Sequence, residues 1–95
     1  MIANSIPLFP LGQLVSTPGA LNALKNAKQS PAEFISRHVA GDWGEVDQDD
    51  WQANVQALRD GSRLLSAYRT KLGEKLWIIT EADRSSTCIL LPSEY

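Results

Sequence analysis

The chain has 95 residues, a formal net charge of −2 at pH 7 and a hydrophobic content of 43%. This length fits one domain, and the composition is typical of a globular protein. The slight acidic excess disfavours general nucleic-acid binding, which requires surplus Lys and Arg to neutralise phosphates. Cys88 is the only cysteine, so an internal disulfide and a cysteine-based zinc site are both excluded.

The N-terminal region lacks a basic segment before its apolar residues and is interrupted by prolines, unlike a signal peptide. No apolar run approaches the length of a membrane span. We therefore expect a cytoplasmic protein with no membrane association. Residues 1–16 are expected to form an extended arm or an edge strand, because Pro7 and Pro10 cannot donate hydrogen bonds to a central ladder.

The region from residue 17 to residue 61 is expected to be helical. Thr17 followed by proline is typical of a helix start, and the first helix is predicted to end near Ala27. The sequence Ser30 to Glu33 predicts a capping box at the start of a second helix. That helix is expected to end near Ala40, just before a glycine.

The third helix is predicted to begin after Asp47 as N-cap and to end at Gly61. Its expected inward face is the spaced apolar set Trp51, Val55 and Leu58.

After Gly61 the hydrophobic period becomes that of strands. Three apolar segments, 62–69, 74–81 and 87–92, are separated by short turns and predict a three-stranded antiparallel meander. The fold class is therefore α+β, with about three short helices packed on the meander and a possible extra N-terminal edge strand, in a single domain of residues 1–95. Both faces of the middle strand are apolar, so the second face needs the N-terminal arm, a protein partner or a homodimer through the sheet.

Five acidic residues, the single histidine and two tryptophans crowd the segment from Arg37 to Trp51. The spacing of the acids does not fit a helix-loop-helix calcium loop, and one histidine cannot make a zinc site. A capped and charged helix start is the favoured interpretation, with weak magnesium binding as the alternative. We expect no metal and, since there is no phosphate-binding glycine loop, no cofactor.

His38 is the one candidate for general base catalysis. Asp42 lies four residues later and could orient the imidazole. No glycine-flanked serine or catalytic cysteine motif accompanies the pair. We therefore favour a protein that is not an enzyme, and keep as the alternative a small hydrolase using His38 with Asp42 or the acids after Gly44.

Two kinds of residue are candidates for binding. Trp43 lies between two glycines, where an indole either fills the core or anchors a partner, and Trp77 lies on the doubly apolar middle strand. Arg63, Arg69 and Arg84 gather near the strands and could together hold a phosphate or a carboxylate.

The segments "HVAGDWG" and "WIITEADRS" resemble a family of small bacterial proteins of the plasmid-related type, which are carried on plasmids and integrated mobile elements. The resemblance extends from about Thr17 to Tyr95. It implies a mobile-element setting but supplies no activity and no site residues.

Three functions therefore compete at this point. The favoured one is a small non-enzymatic accessory or interaction protein of a mobile element, such as a regulator or inhibitor of a host defence system. The alternatives are the hydrolase already described and a weak nucleic-acid-binding protein that uses the arginines of the strand region.

Overall fold

The structure, a computed structural model, describes residues 7–95. Within these residues the fold is α+β, with three α-helices and a four-stranded mixed sheet. In chain order the elements are β1 (Gln13–Ser16), α1 (Pro18–Ala27), α2 (Pro31–Val39), α3 (Gln48–Asp60), β2 (Leu64–Arg69), β3 (Lys75–Thr80), β4 (Ser86–Leu90) and a final 3-10 helix (Pro92–Glu94).

The sheet has the strand order β1-β4-β3-β2. Strands β2, β3 and β4 form the predicted antiparallel meander. The prediction of three strands needs correction, because the end of the N-terminal arm adds β1, which runs parallel to β4 with Leu14 opposite Thr87. The possible N-terminal edge strand is thus present as Gln13–Ser16, but its parallel pairing with β4 was not predicted, because so short a strand carries no alternation of its own.

Two of the three predicted helix caps form. The Thr17 hydroxyl accepts a hydrogen bond from the Ala20 amide, and the Asp47 carboxylate accepts one from the Asp50 amide at 2.8 Å. The predicted capping box of α2 does not form. Ser30 occupies the N-cap position without a side-chain bond, and the Glu33 carboxylate instead accepts from the Gln29 side chain at 2.7 Å.

The main core lies between the inner face of the sheet and helices α1 and α2. It joins side chains of both helices to the central strands; its members are Ala20, Ala23, Leu24, Phe34, Ile35, Tyr68, Leu76, Ile78 and Ile89. A second cluster, formed by Phe9, Trp43, Ala57 and Leu64, lies beside it. The described part of the N-terminal arm thus contributes Phe9 to the core.

Helix α3 presents a different face from the predicted one. Trp51 and Val55 are 38% and 39% exposed, whereas Asn54 and Ala57 are buried at 3% and 1%. The helix flanks β2, and Asn54 faces the edge of that strand. The apolar spacing was misleading for Trp51 and Val55, because the polar Asn54 side chain attaches this helix to the strand edge; Leu58, the third predicted residue, packs against the second core cluster.

The outer edge of β2 is closed by hydrogen bonds from two segments. The Asn54 side chain accepts from the Leu65 amide at 3.0 Å and donates to the Leu65 carbonyl at 2.7 Å. Further along, the Ala67 amide donates to the Trp43 carbonyl, and the Glu45 amide donates to the Ala67 carbonyl. A strand edge satisfied in this way cannot pair with another chain.

Gly44 is required for this closure. It forms a bridge to Ala67 with a φ of +75°, and a Cβ at this position would lie 2.0 Å from the Ala67 carbonyl oxygen. Any side chain would therefore force the loop away from β2.

The C-terminal residues cover part of the outer sheet face. Trp77 packs edge-on against Tyr95 with 5.7 Å between ring centroids, and the Arg63 guanidinium donates to the Tyr95 hydroxyl at 2.8 Å. Ile79 and Leu90 on the same face are each only 6% exposed. The C-terminal residues therefore cover much of the outer sheet face, for which the sequence did not indicate this covering segment.

The same C-terminal segment is tied to the start of α1. The Glu94 carboxylate accepts hydrogen bonds from the Thr17 hydroxyl and from the amides of Gly19 and Leu91. These bonds lower the pKa of Glu94. A Cβ on Gly19 would lie 2.6 Å from a Glu94 oxygen, so the absence of a side chain permits this contact.

Replacing Asn54 tests the closure of β2. Asn54→Ala leaves the amide and the carbonyl of Leu65 without their partners, and we expect the free energy of unfolding to fall by about 2 kcal/mol. Urea denaturation measures the loss, and hydrogen exchange should show faster exchange at the Leu65 amide. Asn26→Ala, on an exposed helical position, is the matched control and should be close to neutral; equal losses in both variants would contradict this role.

A double-mutant cycle tests the contact between Gly19 and Glu94. Gly19→Ala should lower the melting temperature of the natural chain because the new methyl group displaces the carboxylate. In a Glu94→Ala background the same change should stabilise by about 0.5 kcal/mol, since alanine is the better helix residue. Thermal unfolding of the natural chain, the two single variants and the double variant measures these effects. A Gly19→Ala effect of the same sign in both backgrounds would refute the contact.

Candidate functional site

His38, the only catalytic candidate from the sequence, is completely buried at 0% exposure. Its Nδ1 lies 2.5 Å from the Ser66 hydroxyl, and its Nε2 lies 2.9 Å from the Thr80 hydroxyl. Thr80 in turn lies 2.7 Å from Thr87. The imidazole thus connects α2 to all three strands of the meander.

The direction of every hydrogen bond in this network follows from the bond made by Thr87. The Thr87 hydroxyl donates to the Leu11 carbonyl at 2.7 Å, so its oxygen must accept from Thr80. Thr80 has then used its only proton and accepts from Nε2 of His38. Nδ1 is left as an acceptor, and Ser66 donates to it. The imidazole is therefore the neutral tautomer with its proton on Nε2.

Burial explains why His38 stays neutral. It lowers the pKa of the imidazole to about 4, because a charged ring would lack water around it. Phe9 and Trp43 pack against the imidazole in T-shaped arrangements, with ring centroids 5.2 and 5.8 Å from it.

The pair of Ser66 and His38 has the contact of a nucleophile and its base, but not the rest of such a site. Both residues are 0% exposed, so a substrate cannot reach the hydroxyl in this conformation. The nitrogen that would face an orienting acid faces Thr80 instead. The arrangement is that of a satisfied buried polar network, which fixes the packing of the elements it joins.

Asp42, the predicted orienting acid, is bonded elsewhere. Its carboxylate accepts from Nε of Arg37 at 2.7 Å and from the Gly44 amide at 3.2 Å. The Arg37 guanidinium beside it lowers the pKa of Asp42. The backbone carbonyl of Asp42 also accepts from the Tyr68 hydroxyl, and burial raises the pKa of that phenol to about 12. Asp42 therefore shapes the loop before α3.

The two candidate tryptophans lie in different places. Trp43 is 1% exposed and stacks on Phe9 with 6.2 Å between ring centroids. Trp77 is half-buried on the outer face beneath Tyr95. Trp43 therefore fills the core, while Trp77 belongs to a partly accessible aromatic pair.

The three candidate arginines are not brought together. Arg63 and Arg69 flank opposite ends of β2, and Arg69 pairs with Glu45 at 3.0 Å. The Arg84 guanidinium donates to backbone carbonyls, among them those of Ala57 and Ser62 at 3.1 and 2.6 Å. Arg84 thus fastens the turn between β3 and β4 to the end of α3 rather than forming an anion site with the others.

A surface cleft of about 310 Å³ lies where the loop before α3 meets β2. It is lined by Arg37, Asp42, Gly44, Glu45, Trp51, Ala67, Tyr68 and Arg69. Each arginine is paired with one acid, so no net charge is left to attract an ion. Across residues 7–95 no group of three or more His, Cys, Asp or Glu side chains could hold a metal ion.

The pocket beside the edge of β1 is the feature that sequence reasoning missed. Leu14 and Val15 are 55% and 43% exposed. Beside them lies an apolar pocket of about 180 Å³, lined by both residues together with Ser16, Pro31, Ile35 and Ile89. The Ser16 hydroxyl is the one buried side-chain polar atom in the described part of the chain without a hydrogen-bond partner.

Comparisons of the chain with protein-family models, curated proteins and solved structures give no match. From Pro7 onward, no helix has both the length and the apolar character needed to cross a bilayer.

The buried imidazole predicts a specific loss of stability in mild acid. The unfolded chain binds a proton at His38 below about pH 6.5, whereas the folded chain binds it only below about pH 4. Its contribution to the free energy of unfolding is therefore complete above pH 6.5 and declines by roughly 3 kcal/mol as the pH falls to 4. Urea denaturation between pH 7 and pH 4 measures this decline.

The control is His38→Gln, which removes the titrating group, so its stability should change little between pH 7 and pH 5. Since the chain has one histidine, NMR can also titrate the ring without ambiguity. An imidazole pKa near the ordinary 6.5, or an equal loss of stability in both proteins above pH 5, would show that the network does not keep the ring neutral.

Proposed function

We propose that the protein is a non-enzymatic accessory protein that binds another protein chain through the free edge of β1. The observation that carries the proposal is the contrast between the two edges of the sheet. The edge at β2 is closed by Asn54 and by the loop of residues 43–45. At the edge of β1 no described residue outside the strand bonds to the outward backbone groups, and two large apolar side chains are exposed.

An open strand edge is a well-suited binding surface, because backbone amides and carbonyls supply affinity and side-chain pockets supply specificity. Proteins usually protect exposed edges with charges, prolines or bulges. Strand β1, with the sequence QLVS, has no charge and no proline. The pocket beside it offers an apolar site for a side chain of the added strand.

The setting we propose is a mobile genetic element in a bacterial cytoplasm, as the resemblance implies. In that setting a small protein that pairs with another chain through this edge would act as a regulator or inhibitor of a host defence system. The hydrolase alternative has less support, because His38 is buried and the Asp42 carboxylate is paired with Arg37. Nucleic-acid binding also has less support, because the candidate arginines lie apart and already bond to other groups of the chain.

Site-specific photocrosslinking tests the proposal in cells. A photoreactive phenylalanine analogue replaces Val15 in the full chain, and a second protein carries it at Leu72, which is 65% exposed on the turn between β2 and β3. We expect protein adducts from position 15 and few from position 72. Mass spectrometry identifies each adduct, including any with a second copy of the chain. Equal labelling at both positions, or none at position 15, would refute binding at this edge.

A further inference from the structure

We infer that the chain occupying the β1 edge is a second copy of this protein, paired antiparallel about a two-fold axis at Val15. This inference rests on the proposed function, since it names the partner of that edge. The two four-stranded sheets would then join into one continuous sheet.

The backbone of β1 is arranged for this pairing. Gln13 and Thr17 direct their amides toward β4, donating to Ser85 and Ile89 at 3.0 and 2.9 Å. By alternation along the strand, Leu14 and Ser16 direct their amides and carbonyls away from the sheet. No described residue outside the strand bonds to these backbone groups.

A second copy matches this pattern without adjustment. When two such strands run antiparallel about Val15, Leu14 of each copy lies opposite Ser16 of the other. Each of these pairs exchanges two hydrogen bonds, so all the outward backbone groups of both residues are satisfied. A two-fold interface needs this kind of self-complementary surface.

The side chains fit the same arrangement. Residues directly opposite on paired strands extend to the same face, so Leu14 of one copy would lie beside Ser16 of the other. Ser16 lines the apolar pocket together with Pro31 and Ile35, and the pocket would receive that leucine. On the outer face the two Val15 side chains would meet at the axis, and the absence of charge on β1 removes any like-charge repulsion between the strands.

The closed edge at β2 favours a second copy over open-ended growth. After β1 pairs with β1, the outer edges of the combined sheet are both β2, which Asn54 and the residues around Gly44 already satisfy. The assembly therefore closes at two chains and cannot extend into a fibre. Because only four residues pair on each side, we expect a weak, concentration-dependent dimer.

Charge substitution at the axis tests the inference by analytical ultracentrifugation of the full chain. Val15→Lys and Val15→Glu each place like charges directly opposite, which disfavours pairing. Each variant alone should have its dimer dissociation constant raised at least about tenfold. An equimolar mixture of the two should recover the dimer, because the opposed charges then attract. Val55→Lys, on the exposed face of α3, is the matched control and should dimerise like the natural chain.

Hydrogen exchange gives an independent measurement. The amides of Leu14 and Ser16 should become protected as protein concentration rises, while the amide of Val15, which faces β4, should not change. A natural chain that stays monomeric up to roughly 1 mM, or a Val15→Lys variant that dimerises normally, overturns the inference. If the natural chain is monomeric but position 15 crosslinks to another protein, the proposed function stands and only the identity of the partner is wrong; if neither occurs, both fail.

Discussion

The hydrogen bonds that close β2 are the constraint on which the rest of this structure depends. An edge strand leaves alternate amides and carbonyls without partners, and here one asparagine and one short loop satisfy those of Leu65 and Ala67. This requirement explains why α3 turns Asn54 rather than Trp51 toward the sheet. It also explains why residue 44 is a glycine, since the loop must approach the strand backbone directly.

The His38 network performs a related task inside the molecule. The imidazole, Ser66 and the two threonines place polar groups in the middle of an apolar core, where unpaired groups would be costly. Thr80 and Thr87 each donate one hydrogen bond and accept another, Ser66 donates to the imidazole, and the network ends on the carbonyl of Leu11 in the N-terminal arm. The network therefore fixes the positions of α2, the meander and the arm relative to one another, because no member can move without leaving a neighbour unpaired.

Local signals in the sequence were sufficient to predict most of the secondary structure. The caps at Thr17 and Asp47 and the alternation of the meander act between residues that are close in the chain, so they can be read directly.

The features that could not be predicted depend on contacts between residues that are distant in the chain. The parallel pairing of β1 with β4, the contact of Glu94 with Gly19 and the attachment of Asn54 to Leu65 join segments that carry no mutual pattern. The candidate site failed for the same reason: proximity in sequence suggested His38 with Asp42, whereas His38 meets Ser66 and Thr80 across the fold.

Structural contacts explain the distinctive residues of the segment from His38 to Gly44. His38 anchors the buried network, Asp42 binds Arg37 and the Gly44 amide, and Trp43 fills the second core cluster. Each distinctive residue of this segment is thus engaged in holding the fold. The scaffold therefore accounts for this segment, and the open edge of β1, which lies outside it, is the surface on which the proposed function rests.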